Sequence, residues 1–76
     1  MRGIAMDEAD IILGGIIRAK RRQLKMTQTE LAKKVGSTTQ CIYYYEKGLR
    51  CINATLFFKI CKALDIDPNE VQRLLS

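Results

Sequence analysis

Four residues near the middle of the chain, Thr39, Gln40, Tyr43 and Tyr44, carry side chains that donate and accept hydrogen bonds without carrying charge. On a helix their spacing of i, i+1, i+4 and i+5 sets them on one side. A solvated helix face more often carries Glu and Lys pairs, although Ser, Thr, Gln and Tyr also populate ordinary surfaces. Base edges in a major groove match such groups, and glutamine can pair in bidentate fashion with adenine. Other chemistries find less support. The chain has no histidine, no activated-serine arrangement, no phosphate-cradling glycine loop and no carboxylate pair with ligand spacing. A chain of 76 residues also leaves little room for a catalytic pocket. An enzyme is therefore not expected, nor is a cofactor. Cys41, Cys51 and Cys61 are odd in number and evenly spaced by ten, whereas a zinc site wants close pairs. Cys61 is expected in the core, and Cys41 beside the uncharged face as a neutral small residue.

Those four residues need a helix held at a fixed angle, and the flanking sequence supplies one. Thr27 followed by Glu30 is a capping box: the hydroxyl takes an orphan helix-start N–H and the carboxylate reaches back. Leu31, Ala32 and Val35 form an apolar stripe at helical spacing, with Lys33 and Lys34 facing out. Gly36 stops that helix by accepting the left-handed conformation. Thr38 can cap a second helix, whose inward positions are Ile42 and Tyr45 and which stops at Gly48. Two helices so short are marginal alone and must be held by others.

The run Q-x-x-L-A-x-x-x-G from Gln28, followed by Ile42, Glu46 and Gly48, resembles the helix-turn-helix of the Cro/CI-type (Xre-like) transcriptional regulators. The similarity runs from about Leu13 to Leu64 and is closest over LKMTQTELAKKVG, which is similar to lambdoid phage repressors and Cro proteins. The resemblance implies an all-α, compact five-helix, lambda-repressor-like DNA-binding domain that binds DNA operators as a dimer. The expected helices are about 10–24, 28–35, 39–46, 54–64 and 68–75. It also implies that Gln28 contacts the DNA backbone, although the residue also suits an early helix position. Helix N-termini favour phosphate in any case. In the resembling phage proteins an arginine at the place of Arg21 pairs with the glutamate matched by Glu46. Independently, Glu46 lies four residues beyond core-facing Ile42, so it tends inward and needs a partner.

The rest of the chain fits one small domain, 10–76, after a flexible segment, 1–9. Thirteen Lys and Arg against eight Asp and Glu give a net charge of +5. That balance suits a polyanion, nucleic acid first and an acidic membrane surface second. No apolar run approaches the roughly 20 residues of a membrane span, so an intracellular protein is expected, and the resemblance implies the cytoplasm of a prokaryotic or phage-infected cell. Asp7 or Asp10 can cap the first helix, whose apolar side is Ile12, Leu13, Ile16, Ile17 and Leu24. Gly14 and Gly15 inside it suggest either close packing by a neighbour or a kink, or simply local tolerance at a weak helix start. Arg18, Lys20, Arg21, Arg22 and Lys25 circle this helix instead of lining one face, the usual pattern of solvated charge.

After Gly48 a loop leads to a fourth helix capped by Asn53. Its Leu56, Phe57, Ile60, Cys61 and Leu64 form a hydrophobic back wall, with Lys59 and Lys62 outside and Phe58 half exposed. Cys51 and Ile52 stand where the resembling family often has a polar residue and a proline. Arg50 is the main phosphate ligand expected there, and the phosphate-facing set is Thr27, Gln28, Thr38, Lys47, Arg50 and Asn53. Asp67, Pro68 and Glu70 start a last helix with a capping box. Its Val71, Leu74 and Leu75 close the core, pair with a twin across a two-fold axis, or do both. Two functions follow. One is a sequence-specific regulator, a repressor on a palindromic operator, with duplex DNA and a second copy as partners. The other is an antitoxin that binds a protein toxin and its own operator.

Overall fold

Local capping chemistry sets where the helices begin and end in the computed structural model, which describes residues 8–75. The helices are α1 Glu8–Gln23, α2 Gln28–Val35, α3 Thr39–Lys47, α4 Ala54–Leu64 and α5 Pro68–Leu75. Thr27 Oγ1 accepts the Glu30 N–H at 3.0 Å, and the Thr27 N–H donates to Glu30 Oε1 at 2.8 Å, so the capping box closes in both directions. Thr38 Oγ1 accepts the Cys41 N–H at 3.1 Å, and Asn53 Oδ1 accepts the Leu56 N–H at 2.8 Å. Gly36 and Gly48 end α2 and α3 at φ of 70° and 74°, the left-handed region where a side chain is strained. At α5 the aspartate caps, but through a different N–H from the one the expected box uses. Asp67 Oδ1 accepts the Asn69 N–H, while the Glu70 N–H donates to the Asp67 backbone carbonyl.

α1 departs from expectation at both ends. It begins at Glu8, so Glu8 and Ala9 are helical and Asp10 sits in the first turn, where its charge complements the dipole, and not at the cap. The remainder of the expected flexible segment, 1–7, including Asp7, lies outside the described residues. At its far end α1 stops at Gln23, and Lys25 turns the chain at φ 56°. Leu24 is consequently beyond the helix and 45% exposed. Ile12 is equally exposed. It lies two residues from the inward-facing Gly14, about 200° around the helix. The buried side of α1 is Gly14 and Ile17, with Leu13 and Ile16 half-buried.

The core is the junction of four helices. Ile17 of α1, Leu31, Ala32 and Val35 of α2, Ile42 of α3, and Ile60 and Leu64 of α4 form one buried cluster. Ile17, Leu31, Ile42, Ile60 and Leu64 are its fully buried large side chains, each contributing about 1.5–3 kcal/mol of apolar burial. α1 packs on α3, α4 and α5, while α2 packs on α3 and α4. α3 is thus gripped from two sides and left open on its outer face. α5 lies against α1, and its Val71 is 2% exposed. That corrects its expected place in a dimer interface: Val71 is consumed by packing within the chain. Leu74, in contrast, is 67% exposed, and Leu75 is half-buried beside Leu13 and Phe57.

Candidate nucleic-acid interface

The orientation of α3 depends on one carboxylate. Arg21 Nε donates to Glu46 Oε2 at 2.6 Å and Arg21 Nη2 to Glu46 Oε1 at 3.1 Å, a two-pronged ion pair from α1 to α3. Gln28 Nε2, at the start of α2, donates to Glu46 Oε1 at 3.1 Å. The remaining arm of Arg21 donates from Nη1 to the Met26 carbonyl at 2.7 Å. Helices α1, α2 and α3 therefore meet at Glu46, and Arg21 ties the turn between the first two to the same network. A second link joins the outer ends of α2 and α3, where the Thr29 and Thr39 hydroxyls lie 3.0 Å apart.

Backbone contact completes the clamp. A Cβ added to Gly14 would strike the Tyr45 carbonyl and lie 2.8 Å from the Glu46 carbonyl oxygen. A Cβ on Gly48 would come within 2.8 Å of Ile11 Cα. Glycine at both places lets α1 and α3 touch along their backbones. Of the three readings of the glycine pair, close packing holds at Gly14, whereas a Cβ at Gly15 would meet open space.

On the open face of α3, Thr39, Gln40 and Tyr43 are exposed and Tyr44 is half-buried. Gln40 Nε2 donates to the Tyr44 hydroxyl at 3.1 Å. Arg50 lies over the Tyr44 ring at 5.0 Å and Lys47 Nζ over the Tyr43 ring at 5.6 Å, within cation–π range. The two rings meet edge to face, with centroids 5.7 Å apart. Four neutral hydrogen-bonding side chains thus stand together with a cation against each of the two tyrosines.

The other expected contacts fall into two kinds. Thr27, Thr38 and Asn53 are exposed and engaged as helix caps. Gln28 is half-buried with its amide turned toward Glu46, a role that its early-helix position alone did not reveal. Thr29 was not anticipated either. Its link to Thr39 depends on the angle between two helices, and no local pattern encodes that. Arg18, Arg22 and Lys47 line a cleft of about 250 Å³ together with Arg21, Gln28, Tyr43 and Glu46. The cations circling α1 in sequence are therefore not all equivalent in space.

The thiols differ in environment. Cys41 is half-buried, and the hydrogen bond with the Thr38 side chain pulls its thiol below the usual range, with Ser37 and Arg50 acting in the same direction. Burial pushes the Cys61 thiol up, and Asp67 adds to the effect. Among the described residues no group of three or more Cys, Asp or Glu is placed to hold a metal ion, and no helix is long and apolar enough to cross a membrane.

A protein-family model described as Helix-turn-helix, HTH_3, matches residues 17–71. The chain is 37% identical over 60 residues to an uncharacterised HTH-type transcriptional regulator, y4wC, of Sinorhizobium fredii, covering 79% of this chain and 42% of that protein. It is 43% identical over 49 residues to an HTH-type transcriptional regulator of Methanothermobacter thermautotrophicus, covering 64% of this chain and 71% of that one. Multiprotein-bridging factor 1 of Candida albicans is 35% identical over 63 residues, 83% of this chain and 42% of the yeast protein. The chain thus spans about two-fifths of the length of several curated relatives it matches. Among solved structures, the clp gene regulator ClgR from C. glutamicum superposes with a TM-score of 0.82 at 21% identity, over 92% of this chain and 90% of that one. At that identity the likeness speaks for the all-α fold.

Proposed function

The chain belongs to the HTH_3 helix-turn-helix family, and on that premise we propose that it is a sequence-specific DNA-binding regulator. In this reading it represses from a palindromic operator as a homodimer, in the cytoplasm of a prokaryotic or phage-infected cell. One observation carries the proposal: Thr39, Gln40, Tyr43 and Tyr44 share the open face of α3, with Lys47 and Arg50 beside the two tyrosines. Laid in a major groove, the first turn of α3 meets base edges. Gln40 pairs with an adenine, and the tyrosine rings pack against thymine methyl groups or exclude wrong steps. Thr27, Gln28, Thr38, Lys47, Arg50 and Asn53 take the backbone, positioning the helix without reading sequence.

Selection of bound duplexes from a random pool tests this, followed by measurement of every single-base variant at one fixed salt concentration. Gln40→Ala is expected to relax preference at one symmetric pair of positions by about 1–3 kcal/mol. Unchanged relative affinities across all variants would remove Gln40 from the reading set. A second reading, a protein-interaction module, draws support from the relative named a multiprotein-bridging factor. It predicts no enriched motif in the selection and retention of a protein partner when Gln40 is replaced. An antitoxin that binds a protein toxin and its own operator would combine the two, giving an enriched motif while retaining its protein partner when Gln40 is replaced.

A further inference from the structure

We propose that the cleft between α1, α2 and α3 is a seat for one phosphate, held by Arg18 and Arg22 of α1 from one side and Lys47 of α3 from the other. The inference rests on the DNA-binding reading above and adds a contact from α1, a helix outside the helix-turn-helix itself. Arg18, Arg21, Arg22 and Lys47 place four cations around a single carboxylate, Glu46. That carboxylate is already committed to Arg21, with both prongs made. The cleft therefore keeps a strong positive surplus, and no other acidic side chain among the described residues lines it.

The spacing is itself informative. Arg18 and Arg22 are four apart and so lie on one face of α1, where like charges repel and cost helix stability. An anion between them removes that cost. Both side chains are exposed, and at about 250 Å³ the cleft admits a phosphate group without opening further. Tyr43, on the face proposed to read bases, also lines it. The seat is thus continuous with that face, where the backbone of a duplex gripped by α3 would run. Guanidinium groups suit the site because their planar forks match phosphate oxygens. The shared chemistry is a phosphate, from either a duplex backbone or a free phosphate ion; the continuity with α3 favours the duplex.

The test compares Arg18→Gln/Arg22→Gln with Lys59→Gln/Lys62→Gln, which removes the same charge from α4. Both are assayed in the full chain on a duplex selected by the parent, over a series of salt concentrations. Loss of one phosphate contact is expected to flatten the slope of log K against log salt by about 0.9. The arginine variant should show this and weaken all single-base operator variants by one common factor, while the lysine variant keeps the parent slope. Equal slopes in the two variants would overturn the seat and leave the regulator reading standing. A parent that binds no selected duplex would overturn the reading and the seat together. A second arm titrates inorganic phosphate into the parent at constant ionic strength, following the arginine Nε–H signals by NMR. Signals that stay in place support the duplex backbone as the source, whereas saturable movement would overturn it in favour of a small anion.

Discussion

A carboxylate whose side chain is only 3% exposed survives at Glu46 because donors from two other helices converge on it. Removing one member strands the others. Arg21→Ala leaves the carboxylate with Gln28 alone, and a broken buried pair costs about 3–5 kcal/mol. Denaturant melts should show that loss for Arg21→Ala, against a smaller one for Gln28→Ala, which leaves both guanidinium prongs intact. Equal losses would mean that the ion pair contributes no more than the amide. Glu30 makes the contrasting case of an exposed carboxylate. Its hydrogen bond from the Thr27 N–H, and then that from the Thr27 side chain, hold its pKa below the ordinary value. A carboxylate with a lowered folded pKa contributes stability that is present above its unfolded value and lost as pH falls through the folded one. Parent and Glu30→Gln should therefore differ in melting temperature at neutral pH and converge in acid below the usual carboxylate range. A gap that persisted at low pH would assign the difference to helix propensity in place of the cap.

At the scale of elements, the two adjacent glycines of α1 predict substitutions of opposite sign. Alanine is favoured over glycine in a helix interior by about 1 kcal/mol, and a Cβ on Gly15 meets nothing within 4 Å. Gly15→Ala should then raise stability by roughly 0.5–1 kcal/mol. On Gly14 the same methyl strikes the backbone of Tyr45 and Glu46, which no rotamer change can relieve. Overpacking of this sort costs about 1–3 kcal/mol, more than the helix gains, and it pries α1 from α3. Thermal unfolding of the two variants decides the matter, and two shifts of the same sign would contradict it. The elements themselves were legible because their signals are local. Thr27 with Glu30, Gly36, Thr38, Gly48 and Asn53 mark ends within a turn of themselves: α2 begins and ends where they put it, and α3 and α4 begin where they put them. α1 was harder. Ile11, Ile12, Leu13, Ile16 and Ile17 spread apolar residues around the helix, and the residue that fixes its inward side is a glycine, invisible to any hydrophobic pattern. The uncharged face of α3 could be assembled from spacing alone. The bonds from Gln28 to Glu46 and from Thr29 to Thr39 could not, since they exist only once the helix angles are set.

For the whole molecule, the surplus of cations and the exposed Leu74 make separate demands. A net charge of +5 favours approach to any duplex, but one α3 spans only part of a groove, and a palindrome needs two. In the proposed homodimer the two copies of α3 lie about 34 Å apart, one turn of duplex. Leu74, 67% exposed, borders an open groove of about 720 Å³ whose lining mixes Ile16, Ala19 and Ile66 with Lys20, Asp65 and Glu70, so a second copy covering Leu74 would bury apolar surface from both. Leu74→Asp adds a charge where the parent chain alone loses nothing, since the side chain already faces water. Leu75 is a poorer probe, because its contact region includes Leu13 and Phe57 and its replacement would also disturb the fold. Leu74→Asp is therefore expected to sediment as a monomer, to melt below the parent only by the concentration-dependent stabilisation that association supplies, and to lose about 10²–10⁴-fold in affinity for the full palindrome as the second half-site ceases to be linked. Its base preference within one half-site should stay that of the parent, because α3 and the Glu46 network are untouched. A parent that already sediments as a monomer and binds two half-sites independently would remove Leu74 from any such role, whatever the variant does.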